Sequence, residues 1–365
     1  MNSAYEQHFE FMKDIIKIED VKDEDLEPQF NLLLSCLPNK GKLYKYRSFS
    51  NKSFEEVYDS LECGYMWFAT ADTLNDDNDS LLFQDTENAT CRFADVLFED
   101  HFSVIHMLVR LFGFKYWNAD DNLRGIPFEI LLRCFDFAAA SQGQDKRDVL
   151  MSQVKKAQIP IDSLFGLFER VLKDDCKKIL RKNIDNWFNA NPAVRKNMHI
   201  FSFSACCDLD NMWGHYADSG RGFCIEYDYN LAKRSDKESI RRLQHTFKVE
   251  YLNTPRQFPV ELIAKWMLHP ENSLQLEQDL KLALLKQMLW KDICWEHEQE
   301  WRVALGIIDS RVPIDIVNGI IIDERSINQP NARKLIRLSK KRGWSIVVRK
   351  NCASAASHKY EKLSE

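Results

Sequence analysis

Two kinds of pattern alternate along the chain. Short runs with apolar residues at alternate or consecutive positions, bounded by turn formers, read as strands: LYKYRSFS from Leu43, YMWFAT from Tyr65, HIFSFSA from His199, GFCIEYD from Gly222 and TFKVEYL from Thr246. Three more come late, at EWRVALGII from Glu300, VNGIIID from Val317 and WSIVVRK from Trp344. Helical spacing marks residues 53–63, where Phe54, Val57, Tyr58 and Leu61 share one face, then 260–295 as one or two long helices, and 331–342. From about 92 to 190 helical periodicity dominates and strand signals nearly vanish, as in FADVLFEDHFSVIHMLVRLFGF. The pattern predicts an α+β domain over 41–350, its sheet assembled from distant segments and interrupted by a helical insertion at 92–190. Residues 1–40 read as an N-terminal helical arm and 351–365 as a polar tail.

Composition narrows the class. A chain of 365 residues, 45% hydrophobic and 12% aromatic, is long enough to bury a full core. A net charge of −5 leaves no whole-chain electrostatic footprint for nucleic acid. The ten cysteines include no CxxC pair, and the Cys206–Cys207 doublet is ill-placed to put both sulfurs on one tetrahedral ion. They read as free thiols, and no metal is expected. There is no basic-then-apolar leader and no run of eighteen apolar residues, so the expectation is a cytoplasmic protein without a membrane span.

Three strand motifs carry the candidate chemistry. In Leu43-Tyr44-Lys45-Tyr46-Arg47 the tyrosines point one way and Lys45 and Arg47 the other. The Arg47 fork suits a phosphate or carboxylate, or else forms a structural ion pair. In Phe201-Ser202-Phe203-Ser204 the two hydroxyls share the face opposite the phenylalanines, placed for a ribose or for ordinary strand hydrogen bonds. If residues 298–305 are extended, Glu298, Glu300 and Arg302 share a face opposite Trp301, Val303 and Leu305. Two carboxylates so placed repel unless a cation or ligand answers them, and Arg302 is one candidate. The alternative is a helix end or exposed edge with an i,i+4 Glu298–Arg302 pair. Met212-Trp213-Gly214-His215-Tyr216 is the densest aromatic cluster; His215 reads as a packed histidine or a general base. Asn75-Asp76-Asp77 reads as a turn or, less simply, a cation site. No GxGxxG, P-loop or GxSxG motif is present.

Taken together, LYKYRSF, WFAT leading to LNDDND, FSFSACCDLDNMWGHYADSGRGFCIEYD and WEHEQEWRVAL resemble the bacterial domain-of-unknown-function 2971 family. The likeness spans about 41–350, without most of the helical stretch. Asp77 stands where that family usually has proline. A looser likeness concerns order: arginine on an early strand, Ser-x-Ser on a middle one and Glu-x-Glu on a late one resemble the R-S-E pattern of ADP-ribosyltransferases. Here the middle motif is Ser-Phe-Ser rather than Ser-Thr-Ser.

That second likeness implies a split, mixed or antiparallel sheet and NAD as cofactor. Arg47 would hold the NAD phosphates, Ser202 and Ser204 would shape the nicotinamide-ribose pocket, and Tyr46, Trp213, His215 and Tyr216 would complete the cofactor site. Glu300 would bind the ribose hydroxyl and favour an oxocarbenium-like transition state, while Glu298 would orient or deprotonate the acceptor. The implied activity is mono-ADP-ribosyl transfer to a protein or nucleic-acid acceptor, as in a toxin or phage-defence effector. Two other readings stand beside it. One is a non-catalytic binding or sensor module that holds a partner through Trp213–Tyr216 and the helical insertion. The other is a hydrolase pairing His215 with Asp208 or Asp210.

Overall fold

The computed structural model describes residues 3–13, 21–74, 76, 79–80, 85–98, 177, 181–182, 184, 195–234, 236–268, 273–305, 309–351 and 358–363. Most of the predicted helical insertion, and Asn75 and Asp77 of the acidic turn, lie outside these. The chain divides into two compact units. The first comprises Met1–Leu81, Pro192–Arg256 and Leu284–Glu365; the second comprises Leu82–Asn191 and Gln257–Ala283.

The first unit opens with helices α1 (Ala4–Met12) and α2 (Asp23–Cys36). Strand β1 (Lys42–Arg47), helix α3 (Asn51–Cys63) and the short strands β2 (Met66–Trp67) and β3 (Ala69–Thr70) follow. In the second unit α4 (Thr86–Phe98) is the described helix before the chain returns. Next come β4 (His199–Ser204), α5 (Asp210–Tyr216), β5 (Phe223–Asp228), α6 (Lys237–Gln244), β6 (Thr246–Lys248) and β7 (Glu250–Leu252). Helices α7 (Val260–Leu268) and α8 (Ser273–Met288) precede β8 (Trp290–Asp292), β9 (Glu300–Leu305), β10 (Arg311–Val312) and β11 (Val317–Asp323). Helix α9 (Pro330–Arg342), β12 (Ser345–Asn351) and β13 (His358–Lys362) complete the chain. The segment expected to be a polar tail therefore contains an edge strand, its alternate charged residues facing solvent while its backbone pairs with β12.

In the main sheet the order is β13-β12-β11-β5-β1-β4-β9-β6, with β3 also paired to β4. Among its described pairings only β11–β12 is parallel, bridged by α9, and the rest are antiparallel. The protein is thus mixed α/β with a mixed sheet. Helix α9 has its boundaries written in sequence: Pro330 opens it, Lys340, Lys341 and Arg342 complement the dipole of its last turn, and its buried stripe is Ala332, Leu335 and Leu338. One sheet face joins Leu43, Phe201, Phe203, Ile225 and Trp301 to Phe30 and Leu33 of α2, Phe54 of α3 and Leu335 of α9. On the opposite face Tyr44, Tyr46, Cys224 and Ile321 pack on Met212 and Trp213 of α5. In the second unit α4 and α7 are tied by Arg92, whose guanidinium donates to Glu261 at 2.9 Å and to Gln257 at 3.2 Å. Among the described residues no helix is long and apolar enough to cross a membrane.

One join in this sheet differs from its neighbours. β1 runs alongside β5 through six register pairs, but meets β4 at a single pair, Tyr44 with Ser204. The same edge of β4 is taken at its other end by β3, through Ala69–Ile200 and Thr70–His199. Between these contacts the edges of β1 and β4 part around Ser202. The Lys45 ammonium bridges the gap, donating to the Ser202 carbonyl at 2.5 Å where a ladder bond would otherwise run.

Candidate functional site

A cavity of about 290 Å³ sits at this parting of the strands. Tyr44, Lys45, Tyr46 and Arg47 of β1, Ser202 and Ser204 of β4, and Glu298 and Glu300 all line it. Three further residues join them: Asp79, Tyr216 and Lys291. Four consecutive β1 residues reach one cavity because the strand meets it edge-on.

The acidic wall is built by β9 and the 3-10 segment Ile293–Glu298 before it. β9 starts at Glu300 and not at Glu298 as expected. Gln299 between them is left-handed (φ 49°), and this reversal turns Glu298 and Glu300 to the same cavity. The turn is pinned from β4: the Ser204 hydroxyl donates to the Glu298 carbonyl at 2.8 Å, and the Ala205 amide donates to the Gln299 carbonyl at 3.0 Å. Ser204 therefore shapes the site through the backbone. Across the β4–β9 ladder Ser202 lies opposite Arg302 and Ser204 opposite Glu300.

Behind this wall is a buried charge cluster. The Arg302 guanidinium grips both oxygens of Asp79 at 2.7 and 2.5 Å and both of Glu300 at 2.8 and 3.0 Å, and donates to the Met288 carbonyl at 2.7 Å. All five of its N–H donors are occupied. Lys291 donates to Glu298 at 2.6 Å and to Glu300 at 3.3 Å. Tyr216 donates to the other oxygen of Glu298 at 2.6 Å, and the Glu300 amide donates to the Tyr251 hydroxyl at 2.7 Å. Asp79, Glu298, Glu300, Lys291 and Arg302 are all nearly inaccessible to solvent. Burial alone would raise the Glu300 pKa, but Arg302 and Lys291, with a hydrogen bond from Ser202, hold it down at about 2. Burial likewise works against Lys291, yet Glu300, Glu298 and Asp79 leave its pKa raised. Three carboxylates against two cations leave the cluster one negative charge in excess. Glu298 keeps acceptor capacity, since each of its oxygens receives one described hydrogen bond.

The opposite wall is cationic. By strand parity Lys45 and Arg47 follow Leu43 toward the main core, so both are half-buried. Burial, with Arg47 alongside, pulls the Lys45 amine well below its ordinary pKa, and its Nζ lies 4.0 Å from the centre of the Phe201 ring. The Arg47 guanidinium has no hydrogen-bond or ion-pair partner among the described residues, and burial lowers its pKa too. Gly222 sets the end of β1: a Cβ there would come within 2.2 Å of the Arg47 carbonyl oxygen, so only glycine lets the preceding turn close on Arg47.

The remaining predicted residues divide. Tyr46 lines the cavity, but its hydroxyl donates to the Cys206 carbonyl at 2.8 Å and accepts from the Leu209 amide at 3.3 Å. Trp213 is buried behind it, edge-on to the Tyr46 ring and donating to the Cys207 carbonyl at 2.9 Å, so it braces β1 without lining the cavity. His215 points to solvent on α5 and stands off the cavity, 6.4 Å from the His297 ring. The carboxylates considered for it are engaged elsewhere: Asp210 with Arg349 at 2.9 Å, and Asp208 accepting from the Cys206 thiol at 2.6 Å. The Asp76 carbonyl accepts from the Asp79 amide at 3.0 Å, which makes the described part of the acidic stretch a turn. Among the described residues no group of three or more His, Cys, Asp or Glu side chains is placed to hold a metal ion.

Sequence reading missed Asp79, Lys291 and Tyr251. Lys291 left a trace, as a lone cation in the apolar run MLWKDICW. Asp79 left none, because its turn reads as solvated until Arg302 is placed against it.

Residues 212–303 match the model of the family described as protein of unknown function (DUF2971). This stretch contains Tyr216, Lys291, Glu298, Glu300 and Arg302, and it supports the family that the motifs resemble. No curated protein and no solved structure matches the chain.

Proposed function

Starting from the DUF2971 match, we propose that the cavity between β1 and β4 binds NAD and transfers ADP-ribose to a macromolecular acceptor. The observation that carries this reading is the bipolar lining: a half-buried Arg47 without a partner among the described residues on one wall, and Glu298 and Glu300 in a cluster of excess negative charge on the other. A pyridinium dinucleotide has the matching polarity, a cationic ring at one end and an anionic pyrophosphate further along. The volume of about 290 Å³ lies near the lower end of the roughly 300–1,000 Å³ of small-molecule sites, which suits the nicotinamide-ribose end with the remainder outside.

In this reading Arg47 holds a phosphate through its free fork. The carboxylates of the opposite wall stabilise positive charge as it develops on the ribose. The bond from C1′ to the pyridinium nitrogen breaks, its electron pair passing to the ring and releasing neutral nicotinamide. A lone pair of the acceptor forms the new bond to C1′, and Glu298, which has acceptor capacity left, takes the acceptor's proton. The test is nicotinamide release and label transfer from NAD, with thermal stabilisation by NAD as the binding readout. Glu298→Gln is expected to retain binding and to lose about a hundredfold or more in rate, the scale of a general base. If NAD gives neither stabilisation nor nicotinamide release, the reading is wrong.

A second reading, a binding module without chemistry, draws on the fact that both Glu300 oxygens are already held by Arg302, and one also by Lys291. It predicts stabilisation by the ligand with no nicotinamide released.

A further inference from the structure

Large apolar side chains among the described residues are nearly all buried, and Trp67 is an exception at 51% exposure. Its neighbours Met66 and Phe68 are buried at 2% and 0%, so strand alternation alone turns the indole outward. It also lines the cavity, as do Thr73 and Leu74. A second observation stands beside it. β2 pairs with β10 so that Arg311 lies directly opposite Trp67, and Tyr65 falls on the same face two residues away. The Arg311 guanidinium lies 5.8 Å from the Trp67 ring centre and 5.4 Å from that of Tyr65. It is exposed, and it has no hydrogen-bond or ion-pair partner among the described residues. A half-exposed indole in the lining of a polar cavity, with a guanidinium over its ring whose N–H donors have no partner among the described residues, suits a planar base carrying a phosphate.

We propose that Trp67, flanked by Arg311 and Tyr65, is a stacking subsite for the purine end of a nucleotide whose other end enters the cavity. Stacking covers an indole face that otherwise meets water, and Arg311 offers its free donors to the adjacent phosphate. This rests on the nucleotide reading of the cavity, but it makes a separate demand: affinity for the purine end must depend on a residue remote from the carboxylates.

The test compares three ligands on the full chain by calorimetry: NAD, nicotinamide mononucleotide and adenosine monophosphate. Trp67→Ala is expected to weaken NAD and adenosine monophosphate about tenfold, the scale of one stacked base, and to leave nicotinamide mononucleotide unchanged. Trp67→Phe keeps most of the affinity, and Arg311→Gln weakens adenosine monophosphate. Trp67 is exposed, so these variants are expected to fold, with unchanged melting as the control. The subsite is overturned if Trp67→Ala leaves NAD and adenosine monophosphate unchanged, or weakens all three ligands equally. Trp67-dependent binding of adenosine monophosphate, with no binding of nicotinamide mononucleotide, upholds the subsite and rejects the pyridinium cavity. If the wild-type chain binds none of the three, both proposals fall.

Discussion

Two arginines at one cavity, Arg47 lining it and Arg302 behind its acidic wall, have opposite fates. Arg302 of β9 is fully buried and has all five donors engaged by Asp79, Glu300 and the Met288 carbonyl. Arg47 of β1 is half-buried and its guanidinium has no partner among the described residues. Both belong to alternating strands of similar length, and nothing local in sequence separates them. The difference lies in what the fold brings opposite. β9 faces β4 through a full ladder and receives Asp79 from a distant turn, whereas β1 parts from β4 after one pair. A buried cation with every donor satisfied holds structure together. One left without a partner costs stability and stays available to a ligand.

This contrast breaks most visibly at Arg302. Arg302→Gln leaves the buried Asp79 and Glu300 with Lys291 as their one remaining described cation and is expected to cost about 3–5 kcal/mol in chemical denaturation. A stability near wild type would show that the cluster is not the brace described. Acid titration comes next. Glu300 has its folded pKa depressed from 4.5 to about 2, so its contribution is fully present above its unfolded pKa and is lost as pH falls through this window. Glu300→Gln should lower stability at neutral pH and flatten the acid limb between about 4.5 and 2. An unchanged acid limb contradicts the coupling to Arg302 and Lys291. Tyr216→Phe removes one hydrogen bond to a charged, buried partner and is expected to cost about 1.5–3 kcal/mol. At the far end of the scale, Arg47→Met should leave melting unchanged or raise it, because it relieves the burial of an unpaired charge, while abolishing thermal stabilisation by NAD. A marked loss of stability at that position would mean that Arg47 has a structural partner after all.

Much of the scaffold is legible in the amino-acid sequence. The strands at 42–47, 199–204, 223–228, 317–323 and 345–351 and the helix at 330–342 follow the apolar pattern closely, because period and capping are local properties. β8 was hidden at the end of a long helical run, since Trp290-Lys291-Asp292 is too short to show a period. β13 reads as tail in sequence, because an edge strand held by backbone bonds needs few apolar side chains. In the site, Glu298 and Glu300 share a face in sequence if residues 298–305 form one continuous strand. They share the cavity for another reason, the left-handed Gln299. Trp213 and His215 stood out as aromatic and titratable, but on α5 one turns to the core and the other to solvent.

Alternation by itself determined that Lys45 and Arg47 share a face of β1, and that Ser202 and Ser204 share a face of β4. Those relations follow from the two-residue period of an extended chain. Which of these groups meets a partner was decided only in three dimensions. The parting of β1 from β4, the arrival of Asp79 from a distant turn, and the opposed states of Arg47 and Arg302 depend on contacts between residues far apart in sequence. Electrostatics acts through space, so the charge that each residue meets is set by the fold and not by its neighbours along the chain.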